Sequence, residues 1–396
     1  MNLNCCPQAV PTSSVEVANL PLTAFKDLRS TELLPVAGWT FNYNINSDLI
    51  RTTLTGSGTA TASNSMAVLQ TGAAAASSAK IETIKALRYT PGLGGLVRCT
   101  AIFTTGVANS TQIIGVGDSV DGFFFGFNGA AFGVLRRQNG TDNWIPQTSW
   151  NMDKFNRTGL SGVTLDPTKG NVYTIEYQWL GFGAISFFIE NPATGFPTLV
   201  HIIQYANANT IPSIFNPTLP VMAQVINTTN ASNLTLRTSS AMGMIEGNGD
   251  TNSLVTVNSF SNSKQVSAET SILTLRNNAT FQGKTNRVRV QFSYLSINCS
   301  GGNTATVRLV VNATLGGTPT YINISPTTSV VAADIAGTTV TGGSRKMTTV
   351  VNSPGDAQIS IIDQDLEIGP GDTLTVSGAS SANTTVTVGI TWNEMW

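Results

Sequence analysis

The stretch VDGFFFGFNG, residues 120–129, sets Phe123, Phe124 and Phe125 side by side between glycines and adds Phe127 two residues on. Side chains alternate faces along a strand, so Phe123, Phe125 and Phe127 share one face and Phe124 points the other way. The first three suit a core. Phe124 then needs a cover of its own: another sheet, another domain or another subunit. The neighbouring segments STQIIGVGD and AFGVLRRQNG have the same make-up, short apolar strands closed by glycine turns. A strand-and-turn architecture follows.

The pattern extends outward in both directions. NVYTIEYQW (171–179) places Tyr173, Ile175, Tyr177 and Trp179 on one face, with Thr174, Glu176 and Gln178 on the other. LGFG turns the chain into AISFFIE, and NPATG turns it again into TLVHIIQY, which predicts a three-stranded meander. A second block begins near MIEGNGDTNS (244–253) and ends in NTTVTVGITW, where Val386, Val388, Ile390 and Trp392 alternate with threonines. That is a half-buried antiparallel strand. Helical periodicity is nearly absent, although LPLTAFKDLRSTELL near the start can hold a short helix between Pro21 and Pro35. The fold class is all-β: two antiparallel β-sandwiches in series, residues 36–245 and 246–396, behind an N-terminal arm of residues 1–35.

Composition narrows the function. Charged residues make up 11% of the 396, against about 25% in ordinary soluble domains, and Ser and Thr fill much of the gap. Such a surface suits a protein packed against copies of itself. A net charge of −1, with no basic patch larger than a pair such as Arg136–Arg137, argues against nucleic acid as a partner. No apolar run reaches the ~18 residues of a membrane helix. The opening MNLNCCPQAV has neither a basic n-region nor an apolar h-region, so no secretory signal peptide is expected.

Catalytic motifs are weak. A Ser-His-Asp triad must use His201, the single histidine, which sits in TLVHIIQY among apolar residues and reads as a core histidine. SSAK (77–80) fits S-x-x-K without companion motifs. GVGDSVDG lacks the third glycine of a dinucleotide fingerprint and leads into a strand. Asp363, Asp365 and Glu367 in IIDQDLEIGPGD share one strand face at i, i+2 and i+4. They can ligate Ca²⁺ through oxygen or simply keep a sheet edge from pairing. Asp118, Asp121 and Asn128 form a weaker Ca²⁺ set, and no other cofactor is expected. Trp144, Trp150 and Tyr205 lie in or beside turn-rich stretches, where aromatics either stack on a pyranose or plug the ends of a sandwich. Eleven N-x-[ST] sequons, Asn227, Asn230 and Asn233 among them, follow from the abundance of these residue types.

Cys99 and Cys299 fall in different predicted domains and read as free thiols, with no metal-type spacing. Adjacent Cys5 and Cys6 strain any bond to each other. A mobile arm can instead bring them against another chain, which makes them candidates for interchain disulfides alongside the plainer reading of free thiols.

Two stretches carry a resemblance. GDSVDGFFFGFNGAAFGVLRRQNG, continued by NVYTIEYQWLGFGAISFFIENPATG, resembles structural proteins of tailed phages and large DNA viruses over roughly residues 100–245. That implies a concanavalin-like jelly roll. LEIGPGDTLTVSGASSANTTVTVGITW is similar to the closing strands of TNF/C1q-type jelly rolls, with Pro370-Gly371-Asp372 as the turn into the penultimate strand. Together they imply a multimeric virion component and supply no catalytic residues.

The expectation is therefore a non-enzymatic virion structural protein, a capsid spike, decoration or fibre component, located in the virion and most simply a homotrimer. Its partners would be copies of itself, other virion proteins through the arm, and glycans of a host surface. The alternative is a glycan-binding adhesin on the same scaffold, with a polysaccharide depolymerase behind it.

Overall fold

The computed structural model describes residues 31–247 and 254–396. They build two antiparallel β-sandwiches, and no strand before Gly247 pairs with one after Leu254. The expected short helix lies mostly outside the described residues. Its last two leucines belong to the first described strand, Leu33–Thr40, so the first sandwich reaches into the segment expected to be an arm.

One sheet of the first sandwich has seven strands. Within it Gly122–Asn128 is flanked by Ser110–Gly117, the central strand, and Ala131–Gln138. The facing sheet has nine and includes the meander Asn171–Tyr177, Ile185–Glu190 and Pro197–Ile203. Phe123, Phe125 and Phe127 enter the core between the sheets, where Phe125 lies 4.8 Å from Tyr173 and 5.3 Å from Phe187. Gly126 interrupts the aromatic run because a Cβ there would strike the backbone carbonyl of Gln112 on the neighbouring strand.

Phe124 is also fully buried, but neither a second layer nor a partner covers it. On the outer face of its own sheet it packs with Ile113, Leu135 and Met222, and Trp144 closes over the group. The Arg137 guanidinium sits 5.5 Å from its ring centre, paired to Asp142 at 2.6 Å. Large side chains of one sheet thus make a satellite core without help from another.

The second sandwich sets Val255–Val266, Thr384–Met395, Arg289–Gly301 and Gly355–Ser360 side by side in one sheet. The other runs through Thr270–Asn277, Thr373–Ser380 and Ala305–Val311. Val386, Val388, Ile390 and Trp392 all enter its core. The Pro370-Gly371-Asp372 turn, with Gly371 at φ +88°, precedes the Thr373–Ser380 strand.

The two apolar cores never meet. Charges fill the seam instead. Among the described residues eleven ion pairs form, and five of them join the sandwiches: Arg51–Asp372, Lys85–Asp365, Lys346–Asp48, Arg287–Asp118 and Arg287–Asp121. Lys346 holds the Asp48 carboxyl below its usual range. Arg287 is the most enclosed of the crossing cations, its side chain only 9% exposed.

Removing one partner of a buried pair costs about 3–5 kcal/mol, because the other charge is stranded. Arg287→Ala is therefore expected to uncouple the sandwiches without unfolding either. Calorimetry should resolve two transitions where the parent shows one, and small-angle scattering should record a larger radius of gyration. A single unshifted transition would contradict a seam held by charge.

Candidate functional site

Asp121 is the residue around which the seam is built. It sits at the turn leading into the Phe strand and is 1% exposed. Its carboxylate accepts the backbone N–H of Asn139 at 3.0 Å, of Phe215 at 3.0 Å and of Asn216 at 3.2 Å. Arg287 of the second sandwich donates to it at 3.2 Å and to Asp118 at 2.8 Å. Arg287 also donates to the Asn216 carbonyl at 2.8 Å. One anion thereby positions the Asn139–Gly140 turn, the loop through Phe215 and the second sandwich.

These three segments wall a cleft of about 840 Å³, with Trp179, Pro212, Lys284 and Thr285 as further lining. Trp179 leaves the end of the Asn171–Tyr177 strand, where its indole N–H donates to the Ile214 carbonyl at 3.0 Å. Its ring lies edge-on to Tyr89 at 5.5 Å, which fixes it half-buried at the cleft wall. Phe215 is 50% exposed beside it. Asn139, Lys284 and Thr285 offer exposed amide, ammonium and hydroxyl groups. An aromatic wall with convergent polar groups is the general form of a small-ligand site.

The expected stacking residues do not assemble there. Trp150 is 2% exposed and packs against Phe125 and Phe132; Tyr205 is 4% exposed beneath Arg136. Trp150 belongs to the core between the sheets and Tyr205 is covered by Arg136, so neither ring is open to a sugar. Trp144 is half-buried and occupied in covering Phe124.

The carboxylate triad is also not a cation site. Asp363 lies in a 3₁₀ turn, Ile362–Gln364, and Asp365 adopts φ +50°, which breaks the alternation expected of a strand. Asp365 pairs with Lys85, and Glu367 pairs with Arg289 at 3.1 Å. The protein's own cations thus stand where Ca²⁺ was expected. Asn128 lies at the far end of its strand, about 20 Å from Asp121, so the weaker set does not converge either. Among the described residues no three His, Cys, Asp or Glu side chains group to hold a metal.

His201 is 6% exposed, accepts the Asn151 backbone N–H at 3.3 Å, and burial pushes its imidazole below the ordinary range. Cys99 and Cys299 are free and buried; burial pushes the Cys99 thiol up to about 12. Cys5 and Cys6 lie outside the described residues. No described helix is long and apolar enough to cross a membrane.

Sequence reading missed Arg287 and Phe215. The signal for Arg287 was present: NRVRV puts two arginines among apolar residues in a chain with few charges, a pattern that calls for buried partners.

No family model and no curated protein matches the chain. Among solved structures it is similar to the carbohydrate recognition domain of Emp47p, at 10% identity over 55% of this chain and 95% of that one, TM-score 0.33. A glycosyl hydrolase family protein from Mycobacterium fortuitum follows at 11% identity, 50% and 92% coverage, TM-score 0.34. The exoplasmic/lumenal domain of VIP36, in a Ca²⁺/Man3GlcNAc-bound form, has 10% identity, 50% and 84% coverage, TM-score 0.32.

With Asp365, Glu367, Asp118 and Asp121 each paired to a cation of the protein and Asp363 set apart in a 3₁₀ turn, adding millimolar Ca²⁺ or EDTA should leave the melting temperature unchanged. A rise with Ca²⁺ that Asp365→Asn abolishes would reinstate the ion. Thiol reagents should likewise reach neither Cys99 nor Cys299 until the sandwiches unfold.

Proposed function

We propose that the protein is a non-catalytic glycan-binding module whose sugar site is the seam cleft. The observation that carries this reading is the pairing of half-buried Trp179 and exposed Phe215 with amide, hydroxyl and ammonium groups in one concave site. A pyranose offers an apolar C–H face and a rim of hydroxyls, and such a wall matches both. Trp179 is held at its N–H and its edge before any ligand arrives, so little rotamer freedom is left to lose on binding. Asp121 takes no acid–base role in this reading; it organises the walls.

A glycan array followed by titration calorimetry tests the site. Trp179→Ala should weaken the best binder by at least roughly tenfold while circular dichroism shows the β-sheet content unchanged. Binding that survives both Trp179→Ala and Phe215→Ala would remove the cleft from consideration.

A second reading, assembly into a virion-type multimer, draws on a different surface. The outer face of the Val255–Val266 sheet carries cross-strand rows such as Ser261–Gly389–Ser296–Gln358 and Ser263–Thr387–Asn298–Asp356. Asp356 is the single charge in those two rows. A four-stranded face this poor in charge has little to keep copies apart. The two readings are compatible: an oligomer displaying several clefts would bind a surface multivalently. Light scattering should give a homo-oligomer, most simply a trimer, and Ser261→Arg should shift it toward monomer. A monodisperse monomer of the parent chain at micromolar concentration would refute the assembly reading.

A further inference from the structure

The seam cleft does not end at Lys284. A second cavity of about 270 Å³ adjoins it and shares four lining residues, Asn216, Lys284, Thr285 and Arg287. Its lining includes a second aromatic pair, Phe281 and Trp396, with ring centres 5.4 Å apart at 61°. Trp396 is fixed by its indole N–H to the Thr256 hydroxyl at 2.8 Å and by its backbone N–H to the Leu254 carbonyl at 3.0 Å. Between the two cavities stands a hairpin, Thr280–Phe281 with Lys284–Thr285. Gln282 and Gly283 turn it at φ +48° and +74°, the backbone of a tight two-residue hairpin turn. Lys284 therefore stands where the cavities join.

The carboxylates at this junction, Asp118 and Asp121, are both engaged by Arg287. Asp121 is 1% exposed and already engaged by Arg287 and three backbone N–H groups. Lys284 is exposed and has no carboxylate oxygen within 4 Å among the described residues. Lys284 thus stands between two aromatic walls without a carboxylate partner among the described residues.

We propose that the cleft and its neighbour form one extended groove for an acidic oligosaccharide. One sugar lies at Trp179 and Phe215, another at Phe281 and Trp396, and a carboxylate or sulfate on the chain faces Lys284. This rests on the glycan-binding reading and specifies its ligand as acidic and longer than a single sugar.

The test is calorimetry on the full chain with four probes: tetragalacturonate, a heparin-derived sulfated tetrasaccharide, neutral maltotetraose and galacturonic acid. An acidic tetrasaccharide should bind roughly tenfold tighter than both the neutral one and the single acid. Trp396→Ala or Phe281→Ala should abolish the gain from length, with melting curves confirming the fold. Lys284→Gln should close the gap between acidic and neutral chains, as should raised salt. Whichever acidic probe binds tighter identifies the group as carboxylate or sulfate. Equal affinity for acidic and neutral chains, or tetrasaccharide binding untouched by both aromatic variants, overturns the extended acidic groove. The glycan reading would still stand in that event if Trp179→Ala weakened binding. No binding of any probe or array glycan overturns both.

Discussion

A carboxylate removed from water must be met by enough donors, and Asp121 satisfies that demand with three backbone N–H groups and one guanidinium. The donors come from three separate parts of the chain, so meeting the demand fixes their relative positions. The hairpin turn at Asn139, the loop at Phe215 and the second sandwich are located by the same two oxygens. In a chain whose cores do not merge, this is what gives the seam a definite shape, and the cleft inherits that shape. The remaining crossing pairs, such as Lys85–Asp365 and Lys346–Asp48, involve more exposed side chains and are individually weak. They add registration around the buried pair.

Strand alternation made much of the fold legible. The inward faces of Phe123–Phe127, Tyr173–Tyr177 and Val386–Trp392 follow from a period of two, because alternate side chains enter the core between the sheets. The cover of Phe124 was not legible. A sheet's outer face can be dried by its own long side chains, here Trp144 and Arg137, and nothing in the local pattern distinguishes that from burial by a partner. The start of the first strand was missed for a related reason: Pro35 suggested a break, yet it pairs with Met244 next to a register shift that accommodates it.

The candidate site was legible only in part. Turn-flanking aromatics look alike in sequence whether they point outward or inward, and Trp150 and Tyr205 are both buried. Asp363, Asp365 and Glu367 kept the spacing of a strand, but a left-handed residue at Asp365 and a 3₁₀ turn removed the common face. What decided the site was the meeting of residues more than 150 positions apart, such as Asp121 and Arg287, and single-sequence patterns carry no information about such pairs.

In each sandwich the first strand pairs next to the last: Leu33–Thr40 lies against Ser240–Glu246, and Val255–Val266 against Thr384–Met395. Neither sheet can close until its final strand has been made. At roughly 5–20 residues per second, the Leu33–Thr40 strand waits on the order of ten to forty seconds for its partner during synthesis. Pairings this distant in sequence also fold slowly. Over that interval the long, sparsely charged edges are open to other nascent chains, so the order in which the strands are made exposes the protein to pairing between chains before it can pair within itself.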